Sequence, residues 1–133
     1  MAALAHDQLI RRAVSIIKPR KNGDYTIGDV GCALITDKHN VYLGVCIDTS
    51  SGMGFCAEHS AIAAMVTAGE SRIESIVAVR KDENGVAQIM APCGRCREFI
   101  RQIDDDNLET EVILGREKVA RLKDLLPYHD WRS

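Results

Sequence analysis

The segment CAEHSAIAAMVTAG at residues 56–69 carries a pronounced helix pattern near the middle of the chain. Small and apolar side chains recur in it at helical offsets, namely Ala61, Ile62, Ala64, Met65 and Ala68. Its many alanines favour a helix that packs closely against a sheet, and Gly69 ends it. We therefore predict a long helix over residues 57–68 that lies on β-strands.

Short apolar runs on either side of this segment predict the strands of that sheet. The runs 30–35 and 41–45 flank the polar stretch 37–40, a pattern typical of a β-hairpin. After the helix come a β-rich run at 73–79, a short extended piece at 86–90 and a strand at 111–114.

Three further helices are predicted over residues 6–18, 92–103 and 117–126, each bounded by a proline. Helices and strands alternate in the second half of the chain, which indicates parallel crossovers, whereas the early hairpin is antiparallel. We therefore predict an α/β fold in which a mixed sheet carries helices on both faces.

Composition limits the classes of partner. The 133 residues match the usual size of one domain, so we predict a single domain over residues 1–133. Seventeen basic and nineteen acidic residues leave a net charge of −2, which provides no positive field for a polynucleotide. No apolar run is long enough to cross a bilayer. We expect a small-molecule substrate, no nucleic-acid partner and no membrane partner.

Five cysteines, an odd number, stand at positions 32, 46, 56, 93 and 96. The N-terminus lacks the basic start and long apolar stretch of a signal peptide, so we expect a cytoplasmic protein with reduced thiols. In that setting the cysteines are expected to be metal ligands or small buried side chains rather than a disulfide framework.

Two cysteine motifs carry the chemistry, and each stands where a loop becomes a helix. They are Cys56-Ala57-Glu58 and Pro92-Cys93-Gly94-Arg95-Cys96. Cys93 and Cys96 are three residues apart, so both sulfurs can face one point in a first helical turn. Cys56 could complete a three-thiolate site for Zn²⁺, which accepts sulfur ligands and leaves its fourth position to water in catalytic sites.

Glu58 follows the first of these cysteines by two residues. A carboxylate beside the metal can take a proton from water and deliver it to a leaving amine, as hydrolytic deamination requires. The alternative is a carboxylate that merely favours the start of a helix. A purely structural zinc site is a further alternative, with Cys32, Cys46 or His59 as its fourth ligand.

These motifs resemble the zinc-dependent cytidine deaminase family, whose signature joins Cys-x-Glu to Pro-Cys-x-x-Cys. Further matching pieces are Asp24-Tyr25-Thr26, Gly44-Val45 and Leu125-Leu126-Pro127, so the resemblance covers nearly the whole chain. It implies that Cys56, Cys93 and Cys96 bind zinc and that Glu58 shuttles protons. It also implies a three-layer fold with a mixed sheet of about five strands.

The same resemblance implies a homo-oligomer, with a tetramer favoured over a dimer and active sites completed by neighbouring subunits. Candidate substrate contacts are Cys46, Asp48, Ala57, Arg95, Tyr128 and Trp131. Relatives that act on cytidine have Asn and Glu where this chain has Cys46 and Asp48, and they use them to hold the ribose hydroxyl. A thiol is a weaker hydrogen-bonding group than an amide, which leaves the ring substituent open.

A third departure lies beside the proposed ligands, where many relatives have arginine and this chain has His59. Arg95 or Arg97 could offset the thiolate charge instead, the alternative being that both are solvated helix residues.

The chain also resembles blasticidin S deaminase, which has the same residues as Gly94–Arg97 and a similar aromatic tail, here Tyr128 to Trp131. That tail could cover the cavity of its own or a neighbouring subunit, or serve as an interface anchor.

The sequence therefore predicts a zinc-dependent aminohydrolase that converts the exocyclic amine of a cytosine-type ring, in cytidine, deoxycytidine or a related compound, to a carbonyl with release of ammonia. Within the enzyme class the alternative is a blasticidin S deaminase or another non-nucleoside aminohydrolase. Outside it, the alternative is a noncatalytic zinc-stabilised binding module. The sequence leaves open whether the physiological task is salvage or detoxification.

Overall fold

The structure, a computed structural model, describes residues 5–131. Within that range the chain forms three α-helices and seven strands. The helices are α1 (His6–Ser15), α2 (Ala57–Thr67) and α3 (Gly94–Ile103). The strands are β1 (Arg20–Asn22), β2 (Tyr25–Thr36), β3 (Val41–Ile47), β4 (Ile73–Lys81), β5 (Ala87–Met90), β6 (Glu111–Gly115) and β7 (Lys118–Arg121).

All the strands belong to one mixed sheet. Strand β2 pairs antiparallel with β3 along one edge and with β4 along the other. Strand β4 pairs parallel with β6 through Ser75 and Ile76, and β6 pairs antiparallel with β7. The short strands β1 and β5 pair antiparallel with the ends of β2 and β4. The predicted mixed sheet is confirmed, although it has seven strands rather than about five.

Helices cover both faces of this sheet, as predicted. On one face α2 and α3 bury a core that includes Leu34, Ile62, Met65 and Ile100. On the other face α1 packs on the sheet through a second core around Leu9. None of the helices between residues 5 and 131 has the length and apolarity that crossing a membrane requires.

Strand β3 and α2 approach each other closely because their facing residues are small. A Cβ atom placed on Gly44 of β3 would lie 2.3 Å from the backbone nitrogen of Ala61. Ala57 and Ala61 are fully buried at this contact layer. The close packing predicted from the alanines of α2 is therefore confirmed, and it holds the start of α2 against the sheet.

Strand β2 is irregular near its N-terminal end. Its pairing with β3 shifts between Ile27 and Gly31. Gly28 lies in this irregular stretch with a φ of 80°, in the left-handed region that favours glycine. The irregularity places Asp29 next to β3 rather than in a regular pairing.

The prediction of a last helix over residues 117–126 is wrong. Residues Lys118–Arg121 form β7, and Leu122–Leu125 form a short 3-10 helix. A turn after Gly115 lets this segment pair with β6, and the hydrogen bonds of that hairpin outweigh the local helical pattern. Two smaller differences are the strand β1, which was not predicted, and an α3 that begins at Gly94 rather than at Pro92.

Candidate metal centre

Three cysteine sulfurs meet where the N-termini of α2 and α3 come together. Cys56 is the N-cap residue of α2, Cys93 is the N-cap residue of α3, and Cys96 lies in the first turn of α3. The Sγ of Cys93 lies 3.7 Å from the Sγ of Cys56 and 3.6 Å from that of Cys96. Ligand atoms of all three residues lie within 4.8 Å of one another.

These distances match a tetrahedral zinc site. Zinc–sulfur bonds of about 2.3 Å at tetrahedral angles place neighbouring sulfurs roughly 3.8 Å apart. Among residues 5–131 the cluster contains these three residues and no fourth His, Cys, Asp or Glu. The donor set therefore suits zinc with one position left for another molecule, and it lacks the fourth protein ligand that a closed structural site needs.

The three thiols differ in exposure and in acidity. Burial raises the pKa of Cys96 and of Cys56. Burial also acts against ionisation of Cys93, but hydrogen bonds from the backbone N–H and side chain of Cys96 outweigh it and lower the pKa of Cys93. Since metal ligation requires thiolates, binding of a dication here should release protons.

Glu58 lies in the first turn of α2, beside the three sulfurs. Its side chain is only 6% exposed, and burial raises the pKa of its carboxyl group. It lines the same cavity as Cys56 and Cys93. A carboxyl group in this position can exchange protons with a molecule held in the cavity.

The cavity has a volume of about 350 Å³, within the range of small-molecule sites. Seven of the residues singled out in the sequence line it: Cys46, Asp48, Cys56, Ala57, Glu58, Cys93 and Arg95. Cys96, the remaining member of the sulfur cluster, is fully buried behind it. The fold thus brings together residues from β3, the following loop, α2 and α3.

Strand β3 and the loop after it contribute the thiol of Cys46 and the carboxylate of Asp48 to the cavity lining. The Cys46 thiol donates a hydrogen bond of 2.7 Å to Oδ1 of Asp29. Burial and this hydrogen bond raise the pKa of Cys46. Asp48 is exposed, and ligand atoms of these three residues lie within 4.8 Å of one another. The contact between Asp29 and Cys46 was not predicted from the sequence, because it depends on the irregularity in β2.

The two arginines near the cysteines bond to main-chain carbonyl groups. Arg95 lines the cavity and donates a 3.4 Å hydrogen bond to the carbonyl of Gly54. Arg97 donates to the carbonyls of Pro92 and Leu125 at 2.9 and 3.2 Å. Arg97 thereby links the start of α3 to the C-terminal segment.

His59 makes a contact with Cys96 that the sequence did not predict. Its Nδ1 lies 3.4 Å from the Sγ of Cys96. Its ring stacks on Phe99 with a centroid distance of 4.2 Å and an interplanar angle of 1°. Burial lowers the pKa of His59, and the charge of Arg95 acts in the same direction. The sequence feature that could have predicted this contact is the position of His59, three residues after Cys56 at the start of α2.

The aromatic tail lies outside the cavity of its own chain. Tyr128 is fully exposed, and Trp131 is 75% exposed beside the groove that Arg101 and Asp104 border. The tail therefore does not cover the cavity of its own chain, which was one of the arrangements considered from the sequence. A contact with a neighbouring subunit stays a prediction.

Comparisons with known proteins agree with this geometry. The family model described as the cytidine and deoxycytidylate deaminase zinc-binding region matches residues 4–111. The chain is 30% identical over 99 residues to the cytidine deaminase of Mycobacterium tuberculosis, with 74% of this chain and 69% of that protein covered. It is 31% identical over 103 residues to the blasticidin-S deaminase of Bacillus cereus, with 74% of each covered.

Solved structures show the same architecture. The crystal structure of the cytidine deaminase from Mycobacterium leprae matches with a TM-score of 0.75 and 27% identity, covering 93% of this chain and 98% of that one. The cytidine deaminase from Burkholderia pseudomallei matches with a TM-score of 0.74 and 26% identity, covering 94% of this chain and 98% of that one.

Proposed function

Because the chain belongs to the cytidine and deoxycytidylate deaminase zinc-binding family, we propose that Cys56, Cys93 and Cys96 are its zinc ligands and that Glu58 is its proton shuttle. Membership of this family identifies the chain as a zinc-dependent hydrolytic deaminase of cytosine-type rings. The observation that carries the residue assignment is the meeting of three sulfurs at zinc-site distances on a cavity that Glu58 also lines.

The chemistry replaces an exocyclic amine with a carbonyl, consuming water and releasing ammonia. When bound to the three thiolates, zinc would act as a Lewis acid that makes water a nucleophile near neutral pH. Glu58 takes a proton from the attacking water and passes it to the ring nitrogen beside the amine-bearing carbon. Glu58 then carries the second proton of that water to the departing amine as the carbon–nitrogen bond breaks.

The cavity supports a free base or nucleoside as the substrate. Its volume of about 350 Å³ suits a small molecule, and the net charge of −2 does not favour a polynucleotide. We propose cytidine or deoxycytidine as the first candidates, with pyrimidine metabolism as the setting. Ala57, Asp48 and Arg95 line the space that either molecule would occupy.

A second candidate is a cytosine compound whose substituent is not a simple ribose, such as blasticidin S. The specific observation that favours it is the Cys46–Asp29 hydrogen bond, which engages the thiol that stands where cytidine-specific relatives have an amide. The carboxylate of Asp48, which lines the cavity, favours substituents that donate hydrogen bonds or carry positive charge. The 31% identity to a blasticidin-S deaminase supports the same candidate.

One assay separates these candidates. The zinc-loaded full chain is incubated with cytidine, deoxycytidine, cytosine or blasticidin S, and loss of ultraviolet absorbance and release of ammonia are recorded. We expect turnover of a nucleoside or of blasticidin S, and the ratio of kcat/KM values decides between them. Zinc binding without ammonia release from any of the four would favour the noncatalytic module instead.

We also propose that the chain forms a homo-oligomer, with a tetramer favoured over a dimer. The support is the exposure of Tyr128 and Trp131, since large exposed aromatic side chains are typical of interfaces. Size-exclusion chromatography with light scattering measures the mass directly, and a monomer at micromolar concentration would contradict the proposal.

A cytoplasmic location is our further proposal. All five cysteines are free thiols, including the pair Cys56 and Cys93, whose sulfurs are 3.7 Å apart. A reducing compartment keeps such thiols available as metal ligands. Fractionation of cells that express the full chain, with activity measured in each fraction, tests this location.

A further inference from the structure

We infer that His59 is a positioning residue for the metal centre, with its Nδ1–H donating a hydrogen bond to the Cys96 thiolate. This inference rests on the proposed function, because it takes Cys96 as a zinc ligand. The observation that carries it is the 3.4 Å separation between Nδ1 of His59 and Sγ of Cys96, two residues 37 positions apart.

Cys96 is the ligand that most needs a donor from the protein. Its side chain is fully buried, whereas Cys93 is exposed and Cys56 is partly exposed. Water can therefore solvate the charge on Cys93 and Cys56 but cannot reach Cys96. A buried thiolate without a hydrogen-bond donor is costly, and a donor from a neighbouring ring offsets that cost.

The direction of the hydrogen bond follows from the ligand chemistry. A metal-bound thiolate has no proton to donate, so Nδ1 of His59 must carry the hydrogen when Cys96 is a ligand. A neutral imidazole with its proton on Nδ1 satisfies this requirement. The tautomer is thus set by the contact itself.

Phe99 holds the imidazole ring in the orientation that this contact requires. The stack on His59 is parallel to within 1°, with ring centroids 4.2 Å apart. Phe99 lies three residues after Cys96, on the same face of α3. One face of α3 therefore presents both the sulfur that accepts the hydrogen bond and the ring that orients its donor.

The nearby arginines do not replace His59 in this role. The side chains of Arg95 and Arg97 donate their hydrogen bonds to the main-chain carbonyls of Gly54, Pro92 and Leu125. His59 lies in α2 and contacts Cys96 of α3 directly, so it also joins the starts of the two helices. Partners of metal ligands orient the ligand and tune the metal, and their loss costs about 10- to 100-fold in metal affinity or activity.

The test compares three variants with the wild-type full chain. His59→Phe keeps an aromatic ring to stack on Phe99 but removes the Nδ1 donor. His59→Asn places an amide N–H near the position of Nδ1 and should restore the hydrogen bond. Ser60→Ala is the matched control, because it removes a 2.7 Å hydrogen bond from the same helix turn without touching a sulfur.

The first measurement is the zinc dissociation constant at fixed pH, obtained by competition with a chromophoric chelator. We expect His59→Phe to weaken zinc binding about 10- to 100-fold. His59→Asn should recover most of that loss, and Ser60→Ala should bind zinc as the wild type does. The second measurement is the thiolate-to-metal charge-transfer band of the Co²⁺-substituted protein. The band should move to longer wavelength in His59→Phe, because the lost hydrogen bond had stabilised the sulfur lone pairs.

Equal zinc affinities and unshifted bands in wild type and His59→Phe would overturn the inference while leaving the proposed function standing. An equal loss of affinity in His59→Phe and Ser60→Ala would also overturn it, since the effect would then belong to the helix rather than to the donor. If the wild-type chain binds no zinc, both the inference and the proposed function are wrong. If His59→Phe fails to fold, Phe99→Leu takes its place, because a ring freed from its stack should also weaken zinc binding.

Discussion

The sulfur atoms of Cys56 and Cys93 lie 3.7 Å apart, although 37 positions separate the two residues in the chain. Each residue is the N-cap of a helix, and the two helices start side by side on one face of the sheet. The positive ends of both helices therefore point toward the sulfurs and favour their ionised form. This arrangement prepares the site for a dication.

Replacing one of these ligands should remove the metal. Cys93→Ser is expected to lower the zinc content well below one ion per chain, because a neutral hydroxyl is a poor substitute for a thiolate. Cys32→Ala is the matched control, since Cys32 is fully buried in the core and outside the sulfur cluster. Zinc content is measured by elemental analysis after gel filtration. A Cys93→Ser protein that still carries one zinc per chain would remove Cys93 from the ligand set.

Glu58→Gln should separate metal binding from proton transfer. The amide keeps the size of the side chain but cannot accept a proton, so we expect zinc to stay bound while kcat falls about 10²- to 10⁴-fold. The control is Glu83→Gln, in the exposed turn between β4 and β5. Steady-state kinetics on the best substrate of the wild type provide the measurement. Near wild-type turnover by Glu58→Gln would show that another group moves the proton.

Gly44→Ala should destabilise the contact between β3 and α2. The added Cβ would lie 2.3 Å from the backbone nitrogen of Ala61 and 2.6 Å from the Cβ of Ser60, so backbone must move. Overpacking of this kind costs about 1–3 kcal/mol in the free energy of unfolding. Gly94→Ala is the matched control, because its Cβ would meet nothing within 4 Å. Urea unfolding of both variants measures the difference, and equal stabilities would contradict the close packing.

Glu70 should contribute to the acid sensitivity of the fold. Hydrogen bonds from Thr36, Tyr42 and Asn40 hold the pKa of Glu70 below its ordinary value. A carboxyl group whose pKa is lowered by folding stabilises the protein above the unfolded pKa, and this contribution is lost as the pH falls through the folded pKa. Thermal unfolding of Glu70→Gln should therefore depend less steeply on pH than that of the wild type below about pH 4.5.

The control for this experiment is again Glu83→Gln, whose pH dependence should follow that of the wild type. A wild type and a Glu70→Gln variant with parallel curves from pH 7 to pH 3 would show that the hydrogen bonds to Glu70 do not favour its charged form in solution.

Local sequence spacing determined the central helix α2 and the hairpin of β2 and β3, but not the hairpin of β6 and β7. Contacts between near neighbours in the chain fix three features, and the sequence pattern predicts each of them. These are the helix at 57–68, the hairpin around residues 37–40, and the three-residue step from Cys93 to Cys96. The family signature then supplied the expectation that Cys56 joins Cys93 and Cys96, which the structure brings within 4.8 Å of one another.

Tertiary structure decided what near neighbours could not. The segment 117–126 has a helical pattern, yet pairing with β6 makes its first part a strand. Cys46 meets Asp29, 17 positions away, because β2 is irregular there. His59 meets Cys96 because α2 and α3 begin side by side. These contacts depend on how the sheet and helices pack, and packing energies between distant segments leave no periodic signal in the sequence.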